Sequence, residues 1–170
     1  MHSFTTTLQN FSNNVYGLHL PLPEDIAQAI LASGNKRVLC TINEIETIHS
    51  GIMAVKPYWY ILINQQLAKR LNLSIGEQVQ VQLKEDKSEF GMKMPEELEE
   101  VFAQDLVAKS HFLELTPGKQ RNLIHIVAKV KNTQSRINKA LAICHHLNEV
   151  NGQLDFKMLN STIKKYNQLR

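Results

Sequence analysis

An internal repeat is the sequence feature that most constrains how this chain can fold. The repeat consists of two stretches, "LHLPLPEDIAQAI" (18–30) and "WYILINQQLAKRL" (59–71). Both change from alternating to helical periodicity at the same internal position, and a shift of about 41 residues superposes them without a gap. Apolar positions match throughout. In the first strand the pairs are Leu18 with Trp59, Leu20 with Ile61 and Leu22 with Ile63. In the helix they are Ile26 with Leu67, Ala27 with Ala68 and Ile30 with Leu71, and in the second strand Val38 with Val79, Cys40 with Val81 and Ile42 with Leu83.

Each copy is predicted to form a strand, a short helix and a second strand. The period of two at 18–22 and 38–42 is typical of strands with one buried face. The apolar residues between them recur at the spacing of an amphipathic helix. Pro23 suits the first helical position, and Asn64 takes its place in the second copy as a capping residue. We expect the two copies to close on each other as a pseudo-twofold β-barrel, since closure removes open strand edges.

The periodicity changes within residues 85–98, where turn and helix-breaking residues interrupt the alternation. We therefore predict an α+β chain of two domains, a β-barrel with two short helices at 1–92 and an all-α helical domain at 93–170. Acidic residues after Pro95 suit a helix start, because they favour the positive end of the helix dipole. Further helices are expected within 115–130 (Pro117 at its first position), 132–148 (capped by Asn132 or Thr133) and 154–169.

Charge is distributed unevenly along the chain, whose formal net charge is +3. Residues 1–106 carry 8 Lys and Arg against 13 Asp and Glu, whereas residues 107–170 carry 11 against 3. A basic second half can attract polyanions.

The sequence predicts a cytoplasmic protein. No apolar stretch is long enough to span a membrane, and the first residues lack the basic start and apolar run of a signal peptide. The two cysteines, Cys40 and Cys144, lie far apart without CxxC spacing, which suits a reducing compartment. We also expect a monomer, because the repeat supplies both halves of the barrel within one chain.

Motifs in the first part of the chain resemble a known bacterial domain. In order, they are "LPLPEDI", "KRVLCTIN" and "YWYILINQQLAKRLNLSIGEQVQVQLKEDKSEFGMKMPEEL". They resemble the small bacterial β-barrel domain of unknown function that is related in fold to the double-split barrels of AbrB-like regulators. The resemblance implies an internally duplicated double-split-type β-barrel.

The segment from Met94 to about Leu147 resembles the YdeI/OmpD-associated family, described as bacteriocin-protection proteins. The family signature "A-K-x-x-x-T…R-I" corresponds here to Ala128, Lys129, Thr133, Arg136 and Ile137. Together the two resemblances cover residues 4 to about 148. They imply a role in stress or antimicrobial-peptide resistance, and neither implies a known reaction.

Motifs of known catalytic chemistry are absent from the sequence. It has no GxSxG, HExxH or GxGxxG motif, and its 7 glycines form no phosphate-cradling loop. The cluster "CHHLNE" brings together Cys144, His145, His146 and Glu149, but four ligands on one helix cannot surround a tetrahedral metal ion. We therefore expect no enzymatic activity, no cofactor and no metal, and an exposed histidine pair beside a core thiol.

Basic residues of the second half are the best candidates for a functional surface. Three of them are spaced by four and should lie along one helical face, and three more follow on the next helix or just before it. A helical hairpin would join all six into one positive surface that binds an acidic protein, a nucleic acid or another polyanion, unless it is only a solvated face. The six residues are Arg121, His125, Lys129, Lys131, Arg136 and Lys139.

A second candidate site is a pocket on the barrel. Tyr58 and Tyr60 alternate with the core positions of their strand, and the repeat matches His19 to Tyr60. The three side chains should therefore point away from the barrel interior and could line a ligand pocket.

The leading hypothesis is a non-enzymatic binding or adaptor protein that acts through the basic helical face. One alternative is a DNA-binding regulator, by analogy with AbrB-like folds. The other is a small-molecule-binding barrel that uses His19, Tyr58 and Tyr60.

Overall fold

The computed structural model describes residues 1–11, 17–55 and 58–168. Over these residues the chain is a mixed α+β protein, as predicted, and it divides into two compact units, Met1–Gly91 and Met92–Arg170. All described strands belong to the first unit, and the described elements of the second unit are all helices.

The first unit repeats the order strand, strand, strand, helix, strand. In chain order its elements are β1 (His2–Thr7), β2 (Gln9–Asn10), β3 (Leu18–Leu22), α1 (Glu24–Leu31), β4 (Arg37–Ile42), β5 (Glu46–Gly51), β6 (Met53–Val55), β7 (Tyr58–Leu62), α2 (Gln65–Arg70) and β8 (Gln78–Glu85).

The strands form two antiparallel sheets, which corrects the expectation of one closed barrel. One sheet has the order β1-β8-β4-β5 and the other the order β2-β3-β7-β6. The chain leaves the first sheet and enters the second at Leu8 and again at Ile52, and both side chains are buried in the core. Among the described residues each sheet thus has its own ladder of paired strands.

The alternating residues of the repeat form the core of the first unit, as their periodicity predicts. Leu20 on β3 lies opposite Ile61 on β7, and Cys40 on β4 lies opposite Leu83 on β8. All four side chains are fully buried. Burial of such residues stabilises the unit by about 1.5–3 kcal/mol for each large aliphatic side chain.

The second unit is helical. Its described elements are α3 (Glu96–Gln104), α4 (Leu106–Glu114), α5 (Pro117–Ala128), α6 (Thr133–Glu149) and α7 (Phe156–Gln168). A break at Asp105, which the sequence periodicity does not show, separates α3 from α4. The carboxylate of Asp105 caps α4 by accepting a hydrogen bond from the amide of Ala108 at 2.9 Å.

Local capping signals identify several helix starts correctly. The Asn64 side chain accepts from the amide of Leu67 at 2.8 Å, and Asn132 accepts from the amide of Ser135 at 2.9 Å. Pro117 occupies the first turn of α5 as predicted. Pro23 lies one position earlier than predicted, at the N-cap of α1, where its fixed φ still suits entry into the helix.

Candidate functional site

The solvent-facing basic residues along α5 form one row. Arg121 is partly exposed, and His125 and Lys129 are exposed, each about one turn beyond the last. Lys131 follows in the exposed connection to α6. These four residues are called the basic surface below.

The carbonyl groups at the end of α5 are bound by a side chain from α6. Arg136 donates from Nε to the carbonyl oxygen of Val130 at 2.8 Å and from Nη2 to that of Ala128 at 3.4 Å. The last carbonyls of a helix have no partner within the helix and carry its negative dipole end. Arg136 therefore closes the C-terminal end of α5.

Arg136 also makes an ion pair with Glu97 in the first turn of α3. Its Nη1 lies 3.3 Å from one carboxylate oxygen of Glu97 and 3.4 Å from the other. The Glu97 side chain is only 13% exposed. The guanidinium thus serves three elements of the helical unit, and its charge is already compensated.

Lys139 binds the same end of α5. Its Nζ donates to the carbonyl oxygen of Ile126 at 3.2 Å. Partial burial, and then the positive charge of Lys129, lower the pKa of the Lys139 ammonium. The six predicted residues therefore differ in role: Arg136 and Lys139 hold α5 in place, whereas the basic surface is directed to solvent.

The predicted barrel residues His19, Tyr58 and Tyr60 do come together. His19 Nδ1 lies 2.8 Å from the carbonyl oxygen of Gly17, so this nitrogen must carry the proton and donate. Nε2 then accepts from the hydroxyl of Tyr58 at 3.0 Å, and the ring of Tyr60 meets His19 edge-on at 5.4 Å.

Phe11, which the sequence analysis did not select, completes this aromatic cluster. Its ring stacks on His19 with a centroid distance of 3.8 Å. His19 is 1% exposed and Tyr60 is 6% exposed, so the rings pack mainly against one another. Both ring nitrogens of the buried His19 thus have hydrogen-bond partners.

A histidine–carboxylate pair in the first unit was not anticipated from the sequence. Nδ1 of His49, on β5, lies 2.8 Å from Oδ2 of Asp86, which follows β8. The other oxygen of Asp86 accepts from the amide and hydroxyl of Ser88 at 3.0 and 2.5 Å. Burial would raise the pKa of the Asp86 carboxyl, but the hydrogen bonds from His49 and Ser88 outweigh it and lower that pKa.

His49 also lines a groove of about 690 Å³ along the edge of β5. The opposite wall is formed by residues of the β7 end and α2, including Asn64 and Arg70. Arg70 is paired with Glu46 at 2.5 Å. No sequence signal pointed to this site, because its histidine and carboxylate are 37 residues apart and belong to no periodic pattern.

The "CHHLNE" stretch is more buried than predicted. Cys144 lies in the core, as expected, and His145 is exposed. His146, expected to be exposed, is fully buried, and its Nε2 accepts from the amide of Asp155 at 3.2 Å. The prediction of an exposed histidine pair is therefore wrong for His146, which packs inside the helical unit and binds the residue just before α7.

Among the described residues, no helix combines the length and the apolar character needed to cross a bilayer.

Comparisons with known proteins identify two segments of the chain. Residues 4–83 match the family model described as "Domain of unknown function (DUF1905)". Residues 91–149 match the model described as "Bacteriocin-protection, YdeI or OmpD-Associated". No curated protein and no solved structure matches the chain. The domain content expected from the sequence motifs is thus confirmed: the first unit is similar to a domain of unknown function, and the helical unit to the bacteriocin-protection family.

Proposed function

We propose that this chain is a non-enzymatic binding protein that acts in bacterial stress or bacteriocin resistance and contacts an anionic partner through the basic surface. The description of the family matched by residues 91–149 supports the resistance role. The excess of cations in the second half of the chain supports an anionic partner.

The observation that carries this proposal is that the basic residues along α5 and in its connection to α6 are directed to solvent. Partial burial lowers the pKa of the Lys139 ammonium, and repulsion from the nearby charge of Lys129 lowers it further. Within the described part of the chain, the recorded ion pairs involve neither lysine, nor Arg121, nor Lys131. An incoming anion would relieve this repulsion, since opposite charges within a few ångströms stabilise the charged form of both groups. Charge-assisted hydrogen bonds to carboxylate or phosphate would add to the affinity.

The test is a binding measurement with a basic-surface variant, Arg121→Glu, Lys129→Glu and Lys131→Glu. Lys139 and Arg136 stay unchanged, because their loss would disturb the end of α5. The matched control is Lys157→Glu, Lys164→Glu and Lys165→Glu on α7, which makes the same change of charge at three exposed positions. Two labelled probes represent the two partner classes, a DNA duplex and poly-glutamate.

We expect at least one probe to bind the natural chain and the α7 control, and to lose affinity for the basic-surface variant. If the probe is DNA and four phosphates are contacted, log Kd should change with log salt by a slope of about 3.6 in magnitude. Equal loss in both variants would mean that only net charge matters. No binding of either probe at low salt would overturn the proposal of a polyanion site.

A second candidate function is small-molecule binding by the first unit, favoured by the groove at the edge of β5. Its volume of about 690 Å³ is within the usual range for ligand sites. Asp86 holds the His49 ring in place there, so the ring would not have to be ordered on binding. Thermal-shift screening tests this function, because a ligand at 100 times its Kd adds about 2.7 kcal/mol of stability. Hits should lose their effect in His49→Gln and keep it in His145→Gln.

We also infer that the first unit is internally duplicated and that its two open sheets are related in fold to the double-split, AbrB-like type. The two runs of strand, strand, strand, helix, strand support a duplication, as do the changes of sheet at Leu8 and Ile52. Superposition of residues 18–42 on 59–83 in an experimental structure tests it. DNA binding through this unit rests on fold analogy alone, which is a weak basis for function.

A cytoplasmic location and a monomeric state belong to the same proposal. Cys40 and Cys144 are both free thiols, which suits a reducing compartment. Fractionation of cells and light scattering of the purified chain test the two points separately.

A further inference from the structure

The helical unit contains a second site, of opposite charge to the basic surface. A cavity of about 480 Å³ lies between the last turns of α3 and α6 and the α7 residue Tyr166. Its polar lining includes Asp105, His145, Asn148 and Glu149. Its volume is that of a site for a small ligand or a single side chain.

Helix direction makes this cavity electronegative. α3 and α6 run parallel, because Glu97 contacts Arg136 near their starts and Asp105 contacts Asn148 near their ends. The negative dipole ends of both helices therefore lie at the cavity, and the positive start of α4 beside them is already occupied by the capping carboxylate of Asp105. Burial and the charge of Asp105 together raise the pKa of Cys144, at the cavity wall, to about 12.

Asn148, one of the residues that line the cavity, carries a buried acceptor that is unsatisfied. Asn148 donates from Nδ2 to Oδ2 of Asp105 at 2.7 Å, which fixes the orientation of the amide. Its Oδ1 is buried and accepts no hydrogen bond from the described residues. A buried acceptor without a donor is unfavourable, so a ligand whose binding opens a path to this oxygen gains by donating to it.

Two rings and a carboxylate complete the site. His145 and Tyr166 lie 5.9 Å apart between ring centroids, tilted by 58°. Glu149, one turn after His145, is exposed at the rim. The aromatic face of Tyr166 attracts organic cations, and Glu149 supplies a countercharge. The described residues contain no group of three side chains able to hold a metal ion, so a hydrogen-bonding cation fits better than a metal.

We propose that this cavity binds a guanidinium group, as found in an arginine side chain or a small guanidine compound. The planar guanidinium has five donors, enough to serve Asn148 Oδ1 and the carboxylates of Asp105 and Glu149 together. An ammonium group has fewer, less rigidly arranged donors. The inference is independent of the basic surface, which would bind ligands of the opposite sign.

The test compares two isosteric probes by NMR titration of the full chain. N-acetyl-arginine amide carries the guanidinium, and N-acetyl-citrulline amide has the same shape without the charge. We expect the arginine probe to bind at least tenfold more tightly, with shifts centred on Asn148, Glu149 and Tyr166. Ethylguanidine is a small guanidine of the same single charge. If it binds as well as the arginine probe, the ligand is a small molecule, whereas preference for the arginine probe would indicate a peptide.

Variants then show which carboxylates contribute to binding of the guanidinium group. Glu149→Gln, at an exposed position, and Asp105→Asn, which keeps a capping side chain for α4, should each weaken the arginine probe at least fivefold. Glu114→Gln on α4 removes the same charge outside the cavity and should leave binding unchanged within twofold. Equal affinity for the citrulline probe, shifts centred elsewhere, or equal losses in the three variants would overturn the proposal.

Discussion

The guanidinium of Arg136 lies 3.3 Å from the carboxylate of Glu97, an ion pair that joins the first turns of α6 and α3. The same side chain binds the free carbonyl groups of Ala128 and Val130 at the end of α5. A residue of the predicted functional surface is therefore part of the framework that positions that surface. Its neighbours Lys129 and Lys131 remain exposed.

Replacement of Arg136 by Met should destabilise the helical unit. It would leave the largely buried Glu97 carboxylate and the carbonyl groups of Ala128 and Val130 without their donor. Losses of this kind cost about 1–3 kcal/mol. Urea denaturation measures the change, and Lys131→Met, at an exposed cation, should stay within about 0.5 kcal/mol. Equal midpoints for the two variants would contradict the framework role of Arg136.

Asp86→Asn should destabilise the first unit by about 1–3 kcal/mol, because the buried carboxylate loses its charge-assisted bonds to His49 and Ser88. The lowered pKa of Asp86 means that its contribution is present above about pH 3.9 and is lost as the pH falls through the folded-state pKa. The unfolding free energy, measured at a series of acidic pH values, should therefore decrease less steeply with falling pH in this variant than in the natural chain. Glu89→Gln, at an exposed position, is the matched control and should titrate like the natural chain.

His146 should make the unfolding free energy depend on pH near neutrality. Burial lowers its pKa, and the opposing charges of Glu149 and Asp155 do not restore it. The unfolded chain thus takes up a proton below about pH 6.5 while the folded chain does not. Stability from this group is present above that pH and is lost as the pH falls through the folded-state pKa, with a slope of at most about 1.4 kcal/mol per pH unit.

The variant His146→Gln should reduce this slope, whereas His145→Gln, at the exposed neighbouring position, should keep it. Denaturant unfolding at several pH values between 5 and 7.5 measures the effect. The same slope in all three proteins would show that His146 does not carry it.

The two thiols should be unreactive in the folded protein. Burial raises the pKa of Cys40 to about 12, and burial together with the charge of Asp105 raises that of Cys144 to about 12. Only thiolates attack disulfide reagents, so a colorimetric thiol assay at pH 8 should detect almost none in the native state and both after denaturation. Rapid reaction of one thiol before denaturation would show that its surroundings are open.

The sequence by itself determined the secondary structure of the repeat and its buried face. Leu20, Cys40, Ile61 and Leu83 follow a period of two, and all are buried at the predicted strand positions. Asn64 and Asn132 cap the helices predicted to start there. These features are local, because a strand's period and a cap's hydrogen bond depend on neighbours within a few residues of the chain.

Only the tertiary structure decided which polar groups are available. The sequence cannot distinguish Lys131 from Arg136, yet one is exposed and the other binds a carboxylate 39 residues away. His49 and Asp86 are likewise joined by folding alone. The physical reason is that a polar contact between distant segments leaves no periodic trace in the sequence, whereas burial of an apolar face does. Backbone carbonyls at helix ends are moreover acceptors that any sequence presents, so the fold determines which side chain reaches them.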